Sequence, residues 1–91
     1  MARLGTRQEA ILREACRRYL RFHRGSPLTK VWTGLGTATE YAPAVKGGYM
    51  ARIHDPNRRY LCWWRLTEKG AAIVQEWIDS GLTYQIIEQV G

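Results

Sequence analysis

The chain reads as one mainly α-helical domain with a small antiparallel β-hairpin, in the order helix, short helix, helix, strand, strand, helix. Three observations predict this. Apolar residues recur every three or four positions over 11–20, the period of an amphipathic helix. From Tyr49 the period changes to two, the mark of a half-buried strand. Gly, Pro, Asn and Asp clusters separate the periodic stretches, as turns require. With 91 residues, one small core is the expectation. It is expected over 1–81, with 82–91 a tail that forms a short helix on the core or on a dimer partner.

Thr6-Arg7-Gln8-Glu9 has the form of a capping box. The first helix follows at about 7–23, its apolar stripe being Ile11, Leu12, Ala15, Cys16, Tyr19 and Leu20, and Gly25 ends it. Ser26-Pro27 looks like a new N-cap and first turn, giving two helical turns with Leu28, Val31 and Trp32 on one face. Gly34-Leu35-Gly36 breaks that helix. Thr37-Ala38-Thr39-Glu40 offers a second capping box, and Ala38, Tyr41, Ala42 and Val45 form the apolar side of a third helix. Pro43 sits inside it and is tolerated only near a helix start, so an extended path through 33–46 is the alternative. Strands are expected at 49–54 and 60–66 around the turn Asp55-Pro56-Asn57-Arg58. Tyr60, Cys62, Trp64 and Leu66 point to one side, and Leu61, Trp63 and Arg65 to the other. Thr67 caps the last helix, whose apolar face is Ala71, Ile73, Val74, Trp77 and Ile78, and Ser80-Gly81 ends it. Leu82, Ile86, Ile87 and Val90 would stripe a helical tail able to dimerise or fold back.

Composition narrows the function. No apolar run is long enough for a membrane span, no signal-peptide h-region is seen, and two cysteines 46 positions apart are too few for a disulfide scaffold. A cytoplasmic protein with reduced thiols is expected. The net charge is +6, and it is uneven: residues 1–30 carry eight Lys/Arg against two Glu, 51–70 five against two acids, and 71–91 three acids and no base. A basic face of this kind attracts polyanions, nucleic acid first among them, although solubility alone accounts for a charge of this size. Catalysis has no support, because no nucleophile, base and carboxylate constellation is visible. Cys16, His23, His54 and Cys62 lack metal-ligand spacing, so buried thiols are the better reading and no metal or other cofactor is expected. One of Trp63 and Trp64 packs on the core, and packing is also favoured over base stacking for the other.

Three stretches carry a resemblance. Gly47-Gly48-Tyr49-Met50 is similar to the glycine turn leaving a recognition helix. His54-Asp55-Pro56-Asn57-Arg58-Arg59 resembles the wing tip of multiple-antibiotic-resistance-regulator (MarR-type) and PadR-like proteins. Arg65-Leu66-Thr67-Glu68-Lys69-Gly70 resembles the LTEKG signature that closes their wing. They fall within Gly47–Trp77, about a third of the chain, and together they resemble a winged helix-turn-helix domain. The resemblance implies a non-enzymatic duplex-DNA-binding protein, such as a small transcriptional regulator. Its DNA contacts would be Thr39 and Lys46 on the recognition helix and Arg52, Arg58 and Arg59 on the wing.

The outward positions of that helix would be Thr39, Glu40, Pro43, Ala44 and Lys46, of which only Lys46 is basic. This favours phosphate and minor-groove contact over base reading. Arg13, Arg17, Arg21 and Arg24 form a secondary basic face on the first helix, either solvated or paired with the acidic C-terminal segment. The alternative function is a protein-interaction module, such as a phage- or plasmid-encoded adaptor or inhibitor, docking through that Arg-rich face. A homodimer is a further candidate assembly.

Overall fold

The computed structural model describes residues 4–81. The elements run α1 (Thr6–Phe22), a 3₁₀ turn (Leu28–Lys30), β1 (Gly34–Gly36), α2 (Ala38–Lys46), β2 (Met50–Ile53), β3 (Cys62–Leu66) and α3 (Glu68–Asp79). The architecture is thus mainly helical with a small three-stranded antiparallel sheet, of strand order β1-β3-β2. The expected tail helix and its Leu82/Ile86/Ile87/Val90 stripe lie outside the described residues. No helix among the described residues is long and apolar enough to cross a membrane.

Two expectations about order are corrected. The second helix is only a 3₁₀ turn, and Gly34-Leu35-Gly36 is a strand rather than a break. The reason is sheet pairing. The Thr33 N–H donates to the Trp64 carbonyl at 2.8 Å, and Gly34, Leu35 and Gly36 face Trp64, Trp63 and Cys62 in register. Val31 is already extended, with φ −124° and ψ 154°, as suits a β-branched residue entering a sheet. The glycines admit a ring. A Cβ on Gly34 would stand 2.3 Å from the Tyr41 hydroxyl oxygen, and one on Gly36 2.8 Å from the Tyr41 ring. That ring stacks on Trp64 with centroids 4.9 Å apart and planes 12° from parallel. The Trp64 indole N–H donates to the Gly36 carbonyl at 3.0 Å, so the buried tryptophan is satisfied.

α1 begins at the expected cap, Thr6, so the N-cap lies one residue earlier. Gly5 is the N-cap, and Gln8, not Glu9, reaches back to the Gly5 N–H at 3.0 Å. The Gln8 amide also donates to the Pro43 carbonyl at 3.1 Å, tying α1 to α2. Gly25, at φ 92°, turns the chain out of α1.

α2 forms despite Pro43. Thr37 and Glu40 make the expected capping box, and Pro43 removes the hydrogen bond that would have gone to the carbonyl of Thr39. Its rotation differs from the expected one. Tyr41 and Ala44 are its buried residues, whereas Val45 is exposed. The Tyr41 ring fixes the rotation by seating against Gly34 and Gly36. Ala44, which was expected to point outward, is instead fully buried.

Two of the three resembling stretches touch one another. The Thr67 N–H donates to the Tyr49 carbonyl at 3.0 Å, the Thr67 hydroxyl donates to the Gly48 carbonyl, and Lys69 Nζ donates to the Gly47 carbonyl at 2.8 Å. A Cβ on Gly70 would stand 2.1 Å from the Tyr49 carbonyl oxygen. The start of α3 is therefore docked on the α2–β2 turn, and only glycine allows the approach.

The core is Leu12, Ala15, Cys16 and Tyr19 of α1 against Met50, Cys62, Trp64 and Leu66 of the sheet and Val74 of α3, with Ile73, Trp77 and Ile78 packed at its margin. The alternation expected for β3 holds from Cys62 to Leu66: Cys62, Trp64 and Leu66 are buried and Trp63 and Arg65 half-buried. Tyr60 precedes the strand and is 78% exposed. Cys16 and Cys62 are both buried free thiols. Among the described residues no group of three or more His, Cys, Asp or Glu is placed to hold a metal ion.

Candidate nucleic-acid interface

The β2–β3 loop is organised by its own sequence. The Asp55 carboxylate accepts the Asn57 N–H at 2.9 Å, and the Asp55 carbonyl accepts the Arg58 N–H at 3.0 Å. This is the Asx-type turn that Asp before Pro-Asn favours. Arg52 stands exposed on β2, an edge strand, and its Nη2 donates across the hairpin to the Arg58 carbonyl at 3.1 Å. Arg58 Nε lies 3.6 Å from Asp55 Oδ2, and the guanidinium sits 4.6 Å from the Trp63 ring centroid. Arg59, Tyr60 and Leu61 are exposed beside it. Three of the expected contact residues, Arg52, Arg58 and Arg59, are thus gathered on one hairpin.

The other two, Thr39 and Lys46, are exposed on α2. No hydrogen bond or ion pair among the described residues ties either side chain to the hairpin arginines. The exposed side of α2 is Ala38, Thr39, Glu40, Val45 and Lys46. It carries one cation and no Arg, Asn or Gln able to read a base edge in bidentate fashion.

Most of the secondary basic face is engaged by acids of α1 and by aromatic rings. Arg13 pairs with Glu9 at 3.4 Å and lies over the Trp77 ring of α3. Glu14 takes Arg17 through two bonds, of 3.0 and 2.6 Å, and Arg18 Nε stands 3.2 Å from the same carboxylate. The hydrogen bonds from Arg17 hold the Glu14 carboxyl below its ordinary range, against the opposing effect of partial burial. Arg21 lies over Phe22, and Arg24 is exposed past the helix end.

Two further features cross elements. Trp63 meets Trp32 with centroids 4.8 Å apart, and Trp32 in turn meets His23 and Phe22 at 4.9 and 5.5 Å. The second is an open cleft of about 520 Å³ lined by Thr29, Lys30, Arg52, Ile53, His54, Arg65 and Glu68. Neither could be read from spacing. Trp32 reads in the sequence as part of a helical face, and Lys30 of the 3₁₀ turn meets Arg52 and Arg65 of the paired β2 and β3 only in the folded chain. The one available signal was the alternation that put Arg65 on the same side as Trp63. Comparison of the chain with protein-family models, with known proteins and with solved structures finds no match.

Proposed function

We propose that the protein is a small non-enzymatic winged-helix domain that binds duplex DNA. In this reading the β2–β3 loop is the wing and α2 the helix set against the groove. The observation that carries it is the clustering of Arg52, Arg58 and Arg59 on one turn-stabilised hairpin. The loop holds its backbone through Asp55, so less order need be gained on binding. Affinity comes from phosphate contacts by the three arginines and Lys46, with Thr39 as a neutral partner, and such contacts position a protein without specifying a sequence. The exposed surface of α2 supports the same division, since it lacks base-reading side chains. Transcription control is the role that fits a domain of this type.

A protein-interaction module is the second reading. It draws on the small apolar residues Ala38 and Val45 exposed on α2, not on the α1 arginines, most of which are engaged within their own helix.

The test is duplex affinity after Arg58→Ala and Arg59→Ala together. Loss of binding to every duplex alike supports the wing. Affinity equal to that of the parent removes the wing from the mechanism, and recovery of a discrete protein complex that α2 variants abolish favours the second reading.

A further inference from the structure

The cleft between the 3₁₀ turn, β2, β3 and the start of α3 is a distinct feature from the hairpin tip, and it is chemically one-sided. Lys30, Arg52 and Arg65 bring three positive charges to it and Glu68 one negative charge, an excess of two. Proteins normally neutralise such a gathering with acids. Here no hydrogen bond or ion pair among the described residues engages the side chains of Lys30, His54 or Glu68. Arg65 makes one long contact, 3.5 Å from Nη1 to the Leu66 carbonyl. Arg52 gives one donor to the Arg58 carbonyl and keeps the rest of its guanidinium. Thr29 lines the same cleft, and Ile53 adds an apolar residue to it. The volume, about 520 Å³, falls in the range of small-ligand sites.

We propose that this cleft is a binding site for a phosphate monoester. A phosphomonoester carries a charge near −2 at neutral pH, which matches the excess of the lining, and guanidinium forks suit its oxygens. A phosphodiester carries half that charge and leaves the cleft unbalanced. The ester is either that of a free sugar phosphate or nucleotide, or the terminal phosphate of a nucleic-acid strand. The inference does not depend on duplex binding by the hairpin. It touches that reading only through Arg52, which belongs to both.

The test is an amide NMR titration of the full chain with ribose 5-phosphate, with dimethyl phosphate and ribose as controls. Saturable shifts centred on Lys30, His54, Arg65 and Glu68, at least tenfold tighter for the monoester than for dimethyl phosphate, are expected. Lys30→Ala and Arg65→Gln should each weaken the monoester at least tenfold while their spectra stay folded. The Arg58→Ala/Arg59→Ala protein should titrate as the parent does, so failure of the duplex reading leaves this result standing. A 5′-phosphorylated oligonucleotide that binds tighter than its 5′-hydroxyl twin, and shifts the same residues, assigns the source to strand ends. Equal binding of the twins assigns it to small phosphates. Shifts that fail to saturate, or that dimethyl phosphate reproduces at equal concentration, overturn the proposal.

Discussion

Tyr41 shows how a few small residues set a fold. Its ring lies where side chains on Gly34 and Gly36 would be, stacks on Trp64, and fixes the rotation of α2. The glycines read in the sequence as a helix break because glycine spacing alone does not distinguish a turn from a strand that yields space to a ring. Thr33, beside them, is fully buried. Its backbone N–H is paired, but its hydroxyl oxygen has no partner. A buried unpaired hydroxyl costs stability that a methyl group of the same shape does not. Thr33→Val is therefore expected to raise stability by about 1 kcal/mol in urea unfolding, and a loss of stability would reveal a partner for the hydroxyl.

Cys16 gives a second prediction at this scale. Burial pushes its thiol from an ordinary value of 9.0 up to about 11. The unfolded chain therefore releases this proton first as pH rises. The stability tied to the neutral thiol is complete below pH 9, falls between 9 and 11, and is lost above. Each pH unit is worth about 1.4 kcal/mol at most. The stability gap between the parent and Cys16→Ala should narrow across that window, and a gap that stays constant would contradict the burial account.

Among the elements, the long ones were the legible ones. α1 and α3 have strong periodicity and are followed within three residues by glycines with positive φ, Gly25 and Gly81, so their extents follow largely from local rules. The hairpin was legible because β3 alternates cleanly. The stretch 26–46 was not, because its structure is decided by partners distant in sequence. Val31 to Gly36 follow β3, and α2 turns its Tyr41 and Ala44 inward because of the Gly34/Gly36 hollow and α1.

The LTEKG stretch has a structural role that can be tested. In an open helix Gly70→Ala would stabilise by about 1 kcal/mol through helix propensity. The clash with the Tyr49 carbonyl predicts the opposite sign, a loss of about 2 kcal/mol or more. A shift of the urea midpoint upward would show that α3 does not dock this closely on the α2–β2 turn. Glu68 differs from its neighbours in this stretch: it lines the basic cleft instead of the turn.

For the whole molecule, the charge distribution was partly legible. Sequence counting located the excess positive charge at residues 1–30 and 51–70 but could not tell engaged cations from available ones. The structure separates them. The α1 arginines are largely taken up by Glu9 and Glu14 and by aromatic rings, as i,i+4 and i,i+3 spacing favours. Arg52, Arg59 and the cleft cations keep most of their donors, while Arg58 is partly held by Asp55 and the Trp63 ring. Of the expected contact residues, Arg52, Arg58 and Arg59 stand together and Thr39 and Lys46 stand apart on α2. The cleft was missed because Lys30, on the 3₁₀ turn, and Arg65, on β3, are neighbours only in the folded chain.

The central claim is that these available cations contact phosphates. The most direct measurement is fluorescence anisotropy with a random-sequence duplex across a salt series, for the parent and for Arg58→Ala/Arg59→Ala. Each phosphate contact contributes about −0.9 to the slope of log affinity against log salt. The account predicts steeply salt-dependent binding by the parent and a slope shallower by about 2 in the double variant. Absence of binding at low salt, or identical slopes for the two proteins, would contradict it.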